Sequence, residues 1–420
     1  MKKILFIHPF LPYPMLSGGH QALYNSISVV KDELDVYITY RAVDNEEYRI
    51  AADNFCKSLP NVKILPLLCS VPPPPSTFHR WKNKIRSLKK LFHRKIVTQI
   101  QSYDKQMYWI STISPQESIW LNHIHNICSI YNFDIIQVEM PWMVSLIFTL
   151  PKSAIKIFVH HELGFVRREL ETENKELDEY TKACKSFVDL NEISQLNLYD
   201  AIITLSETDK RKLVDNGVHI PIFPSFAIVN TKAKPIIKTT EEKKVVFIGS
   251  DIHPPNFIGI NWFLDNCWER LKGIDRNYTI DIIGKWRDEK KEIVLKKHPD
   301  VNFLGFVDNL NEALCGSIMI VPITIGSGIR MKILEAMSNG IPFVSTSIGA
   351  EGIPVVNGEH CFIADNSEDF VNDIIKLQDS SLQSLFIKNS YKIINDNFSN
   401  TALKHNRINI YQTLIDDLKH

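Results

Sequence analysis

Residues 326–352 read GSGIRMKILEAMSNGIPFVSTSIGAEG. The stretch follows SIMIVPI (317–323), a short apolar run rich in β-branched residues that predicts a buried strand. A helix is expected over 329–338, stopped by Asn339-Gly340 with Pro342 just beyond. Gly326 and Gly328 fall in the strand-to-helix loop, where glycine lets backbone N–H groups approach a ligand. A helix N-terminus already carries partial positive charge, so Arg330 and Lys332 sit well there only if an anion shares the loop. A guanidinium grips phosphate through two hydrogen bonds, and an ammonium adds a point charge. Glu335, one turn later, has two readings: an i,i+3 ion pair with Lys332, or a carboxylate accepting ribose hydroxyls. Neither phosphate-loop consensus is met. No Gly-Lys-Ser/Thr occurs, and Met331 stands where GxGxxG needs its third glycine.

Outward from this stretch, 420 residues suggest two domains or more, and 44% apolar with 23% charged residues is enough for large cores. Lys plus Arg (48) equals Asp plus Glu (48), which excludes nucleic-acid binding driven by global charge. The seven cysteines are scattered without CxxC or ligand spacing, as expected of reduced thiols. MKKILFIHPF is too short for a signal sequence, and the apolar run at 140–151 is broken by proline. A cytoplasmic location is expected.

KILFIHPF, VYITY, FDIIQVE, AIKIFVHH and AIITLS read as strands separated by helical stretches. After the polar, aperiodic segment 229–244 the alternation restarts with VVFIGS, TIDIIG, VNFLGFV, SIMIVPI and PFVST. Unalternated apolar strands joined by helices signal parallel sheets covered on both faces. The expected organisation is an N-terminal Rossmann-like domain over 1–228, a linker over 229–244, a second Rossmann-like domain over 245–397, and a helical end over 398–420 that returns to the first domain. Ligands in such sheets bind at the carboxyl ends of the strands. Two such edges would face each other across a cleft.

Four stretches carry a family resemblance. RMKILEAMSNGIPFVST followed by GAEG resembles the donor-binding segment of GT-B glycosyltransferases, closest to the retaining family 4, or group 1, set. FIGSDIHPPNFIGINWFLDNCW (247–268) and VNFLGFVDNLNEAL (301–314) are similar to neighbouring segments of that family, and ILFIHPF followed by SGGH resembles its glycine loop. The resemblance implies that Glu335 binds the nucleotide ribose. It also implies that Arg330, Lys332 and the loop Gly326–Ser327–Gly328 hold the diphosphate. Gly18 and Gly19 would approach the same phosphates, and Phe306 and Val307 would lie beside the base. In KIFVHHELGFVRRE, the residue types alone fit a polar loop, a core histidine or a helix cap. The resemblance instead implies that His161, with His160 as alternative, meets the donor sugar. Arg167 and Arg168 read more simply as a solvated helix face. One departure stands out: many family members carry Glu-x7-Glu here, and Ser327 replaces the first Glu. Either the backbone of Ser327 and Gly328 meets the sugar, or the enzyme is altered.

No Asp-x-Asp occurs, so no metal or other cofactor is expected; Arg330, Lys332 and helix N-termini would stabilise the leaving diphosphate. His123 and His125 do not share a helix face. The stretch 79–96, HRWKNKIRSLKKLFHRKI, has eight Lys or Arg and no acid, with apolar residues at helical spacing. It reads either as a packed surface helix or as a dock on an anionic membrane, making the protein peripheral there. The expected activity is transfer of a sugar from a nucleotide-diphosphate sugar to a glycan or lipid-linked acceptor, as in polysaccharide biosynthesis. The alternatives are a nucleotide-sugar epimerase and a non-catalytic sugar-nucleotide-binding protein.

Overall fold

The computed structural model describes residues 1–15, 18–69, 105–173, 175–225, 243–307, 309–326 and 328–417. Ser327, the basic stretch 79–96 and most of the expected linker 229–244 lie outside the described residues. The chain divides into two compact units. One comprises Met1–Thr204, Lys210–Phe223 and Ile410–His420; the other comprises Leu205–Asp209 and Pro224–Asn409.

In the first unit the strands are β1 (Lys3–Ile7), β2 (Asp35–Thr39), β3 (Arg41–Val43), β4 (Lys63–Ile64), β5 (Leu67–Cys69), β6 (Ile135–Glu139), β7 (Ile155–His160), β8 (Ala201–Thr204) and β9 (Ile222–Pro224). The main sheet has the order β4-β2-β1-β6-β7-β8-β9, with β3 and β5 paired apart from it. Neighbours from β4 to β8 run parallel. Every residue of β6 and β8 is buried. Helices therefore cover both faces, which explains why these runs are continuously apolar rather than alternating.

The second unit holds β10 (Lys244–Ile248), β11 (Thr279–Ile283), β12 (Val301–Gly305), β13 (Ile318–Val321), β14 (Phe343–Ser345) and β15 (Phe362–Ile363). They form one parallel sheet in the order β12-β11-β10-β13-β14-β15. Numbered within the unit this is 3-2-1-4-5-6, the doubly wound Rossmann order. The chain reverses direction across the sheet between β10 and β13 here, and between β1 and β6 in the first unit. Ligands of open α/β sheets bind beyond the carboxyl ends of such strand pairs.

The helix Pro254–Phe263 shows how packing sets the edge of the second sheet. Proline occupies its first turn, where a missing N–H costs nothing. It lies so close to the chain after β13 that a Cβ on Gly259 would stand 2.5 Å from the Pro322 carbonyl oxygen. That oxygen belongs to backbone and cannot swing aside. Gly259→Ala is therefore expected to destabilise this unit by about 1–3 kcal/mol, the usual cost of overpacking. A urea midpoint equal to that of the native protein would contradict this account of the packing.

Candidate functional site

The loop after β13 has the geometry its glycines suggest. Gly326 has φ +120° and Gly328 φ +79°, both in the left-handed region that disfavours side chains. The helix runs Met331–Asn339 with Arg330 at its N-cap and Gly340 closing it in the left-handed conformation. Arg330 folds back over its own loop, its Nη1 donating to the Gly328 carbonyl at 2.5 Å. Lys332 reaches the first turn of the helix Pro254–Phe263, where its Nζ donates to Asn256 Oδ1 at 2.8 Å. It also lies 4.3 Å from the centre of the Phe247 ring. Asn256 is held in turn, its Nδ2 donating to the Ser250 carbonyl at 3.0 Å. Burial lowers the Lys332 ammonium to about 7; Arg330 pushes the same way and Glu335 opposes them. The structure thus brings Gly326, Gly328, Arg330, Lys332 and Glu335 together at the reversal point between β10 and β13. Phe306 and Val307 follow β12 at the carboxyl edge of the same sheet, with 57% of Phe306 exposed and Val307 packed on the core.

The first unit builds a second cluster at its own reversal point. In register Phe6 pairs with Gln137, Gln137 with Ile157, and Glu139 with Val159. Alternation therefore places His8, Gln137, Glu139 and His161 on one face at the ends of β1, β6 and β7. Glu139 is buried, and His161 Nε2 lies 2.5 Å from its Oε2. His8 is fully buried beside them. Burial holds its imidazole down at about 4, against the pull of Glu139 and with the push of His161. It is therefore neutral at physiological pH. Gly18 and Gly19 begin the helix Gly18–Ser28, which follows β1.

The two adjacent histidines have different fates. The His160 side chain is 1% exposed and lies 3.3 Å from Glu192 of the helix Glu179–Leu196; that of His161 retains 13% exposure. His160 is a core residue, and His161 is the one a ligand can reach. Arg168 is likewise buried, paired with Asp189 at 2.6 Å and with Glu192. This corrects the reading of Arg167 and Arg168 as a solvated face: helix Gly164–Thr172 turns Arg168 inward onto carboxylates. Burial alone would raise Glu192, but His160 and Arg168 hold it below the usual carboxylate range. Arg167 bridges Glu162 at 3.3 Å and Glu171 at 3.0 Å. Beside them opens a recess with the exposed rings of Tyr108 and Trp142 in its lining.

Sequence reasoning missed His8, Gln137, Glu139, Glu192 and Asn256. A signal existed for two of them: Gln137 and Glu139 are polar at alternate positions of an otherwise apolar strand, IIQVE. His123 is committed within the fold, its Nε2 lying 3.0 Å from Thr39 Oγ1 and 3.1 Å from the Leu65 carbonyl. Among the described residues no group of three or more His, Cys, Asp or Glu could hold a metal ion.

The family model described as Glycosyl transferases group 1 matches residues 242–380. An uncharacterized 44.6 kDa protein in the cps region of Klebsiella pneumoniae is 27% identical over 164 residues, 37% of this chain and 42% of that protein. The match to this curated relative thus spans less than half of its length. Among solved structures, a TarM variant from S. aureus, in complex with fondaparinux, α-GlcNAc-glycerol and UDP, superposes with a TM-score of 0.67. It is 14% identical and covers 99% of this chain and 100% of its own. Anabaena HepE in complex with UDP-glucose gives a TM-score of 0.65 at 13% identity, with all of both chains covered. At these identities the structural likeness speaks for the fold. The chain has the GT-B fold, and its residues 242–380 match the model of the group 1 glycosyl transferases.

Proposed function

We propose that this protein transfers a sugar from a nucleotide-diphosphate sugar to a glycan or lipid-linked acceptor, with retention at the anomeric carbon and without a metal. One observation carries the reading. Two cations and two left-handed glycines meet at the reversal point of the second sheet, and one cation, Lys332, is held partly discharged by burial. A site so built gains most from a ligand that brings negative charge. The family match over 242–380 and the UDP and UDP-glucose bound to TarM and HepE support a nucleotide sugar as that ligand.

Arg330, Lys332 and the free N–H groups of the Met331–Asn339 helix offset the charge that develops on the departing diphosphate. Gly326, Ser327 and Gly328 bring backbone donors to it, and Gly18 and Gly19 present a second helix N-terminus. Glu335 accepts the ribose hydroxyls, and the exposed ring of Phe306, with Val307, offers a surface to the base. His161 meets the donor sugar. The acceptor belongs to the first unit, where the recess by Tyr108 and Trp142 pairs flat apolar faces with the Arg167–Glu162 ion pair. Hydroxyl-rich rings bind well to such a mixture of aromatic and polar groups. The departing phosphate is positioned to take the acceptor proton. The protein acts in the cytoplasm, and the basic stretch 79–96 is the part suited to an anionic membrane surface. Among the described residues no helix is long and apolar enough to cross a membrane.

Three measurements test this reading. Arg330→Ala and Glu335→Ala should each weaken nucleoside-diphosphate binding more than about tenfold by calorimetry, roughly 1.4 kcal/mol each; unchanged affinity in both would remove its basis. Lys332 gives a proton signature. Above a pH of about 7 its amine is largely neutral, and a bound diphosphate restores the charge, so binding should take up a proton. Binding enthalpies measured at mildly alkaline pH in buffers of different ionisation heat should reveal this uptake. It should vanish in Lys332→Met and on the acid side, where the ammonium is already charged. Finally, Trp142→Ala should raise the acceptor KM about tenfold while leaving slow hydrolysis of donor alone intact. An equal loss in both reactions would take the recess out of acceptor binding.

A further inference from the structure

Lys332 is held in place by a group that carries no charge. Its Nζ donates to Asn256 Oδ1 at 2.8 Å and lies 4.3 Å from the centre of the Phe247 ring. Among the described residues no carboxylate pairs with it, and the charged groups that act on it, Arg330 and Glu335, do so with opposite sign. The direction of the Asn256 amide is settled without the lysine. Its Nδ2 donates to the Ser250 carbonyl at 3.0 Å, and a carbonyl accepts but cannot donate, so the oxygen end is the one turned to Lys332. The backbone beneath the amide is held too: the Asn256 N–H donates to the His253 carbonyl at 3.0 Å, in the first turn of the helix Pro254–Phe263. Gly249 leaves the space for this arrangement. A Cβ there would stand 2.7 Å from Asn256 Cγ, and a side chain would push the amide off its line to Lys332.

The choice of an amide at this place has a chemical consequence. An amide oxygen accepts from a neutral amine and from an ammonium alike, so it holds the nitrogen in either state. An aspartate would accept the same bond while supplying a permanent negative charge. The lysine would then stay an ammonium, already paired, and an incoming diphosphate would meet a carboxylate beside its cation. Asparagine fixes the position of the nitrogen and adds no counter-charge of its own.

We propose that Asn256 is the positioning residue for Lys332: its neutral oxygen holds the amine beside the loop 326–330 and leaves the countering of its charge to a bound diphosphate. The diphosphate rests on the sugar-transfer reading above; the hold on the lysine does not. The test uses full-length protein carrying lysine labelled with 13C at Cε, whose shift follows the charge of the amine. The Lys332 signal is identified by its loss in Lys332→Met. In native protein it should titrate well below the bulk of the lysines, and in Asn256→Asp it should move up toward them. UDP is the binding probe. Asn256→Asp should weaken UDP at least about tenfold, as a like charge beside a ligand does, and abolish the proton uptake on binding. Asn256→Leu, which keeps the side-chain size without the acceptor, should weaken UDP about fivefold, the effect of one lost hydrogen bond. In a Lys332→Met background the same substitution should cost nothing further, because the amine it holds is gone. A Lys332 signal that titrates in Asn256→Asp where it does in native protein would overturn the proposal. So would Asn256→Leu losses that multiply with those of Lys332→Met, the mark of an amide that serves the fold alone. Should native protein bind no UDP, the lysine titration still decides the hold of Asn256 on Lys332, and only the diphosphate reading falls.

Discussion

Much of the first unit depends on how two buried carboxylates at the end of its sheet are satisfied. An ionised carboxylate shut away from water is costly unless charged and hydrogen-bonding partners surround it. β7 answers this with two consecutive histidines. Successive strand residues point to opposite faces, so His160 turns to Glu192 on the covering helix while His161 turns to Glu139 on the neighbouring strand. Arg168 completes the first pair, and Gln137 with Tyr411 completes the second. Gly164 sits against the same group: a Cβ there would lie 2.7 Å from a Glu192 oxygen, and a side chain would have to displace that carboxylate. One pair is sealed into the core. The other keeps an edge open to a ligand.

The second unit shows the opposite electrostatic situation. Lys332 spends its hydrogen bond on a neutral amide, that of Asn256, and its nearest ring is apolar. Its folded-state pKa lies below the unfolded value, so between about 7 and the ordinary lysine range the unfolded chain binds more protons than the folded one. Stability contributed by this residue therefore grows as pH rises through that window, and below it the buried charge is carried at a cost. A fold keeps such a residue most readily when a ligand supplies the missing counter-charge. That is the physical content of cations at a helix N-terminus.

The doubly wound sheets were legible because both faces are covered, which turns strands into unbroken apolar runs such as ILFI (4–7) and IMIV (318–321), and because Asn339-Gly340 is a strong stop signal. The left-handed glycines and the cations of the 326–332 loop were legible because they are local: two glycines, an arginine and a lysine within seven residues. The cluster around Glu139 was largely hidden, because its members lie on β1, β6, β7 and a helix near residue 411, and only strand register brings them together. Arg168 was misread for a related reason. A doubled arginine on a polar helix looks solvated until the carboxylates of another helix, Asp189 and Glu192, are known to face it.

The two clusters differ in charge. The first meets its negative charge internally, with the His161 imidazole at its open edge. The second buries Lys332 against a neutral amide, which lowers its hold on a proton. A diphosphate gains more from the second, and a hydroxyl-bearing sugar loses nothing at the first. The absence of a carboxylate at position 327 fits this division. A negative side chain there would have to share the loop with the diphosphate, whereas serine between two glycines adds no charge.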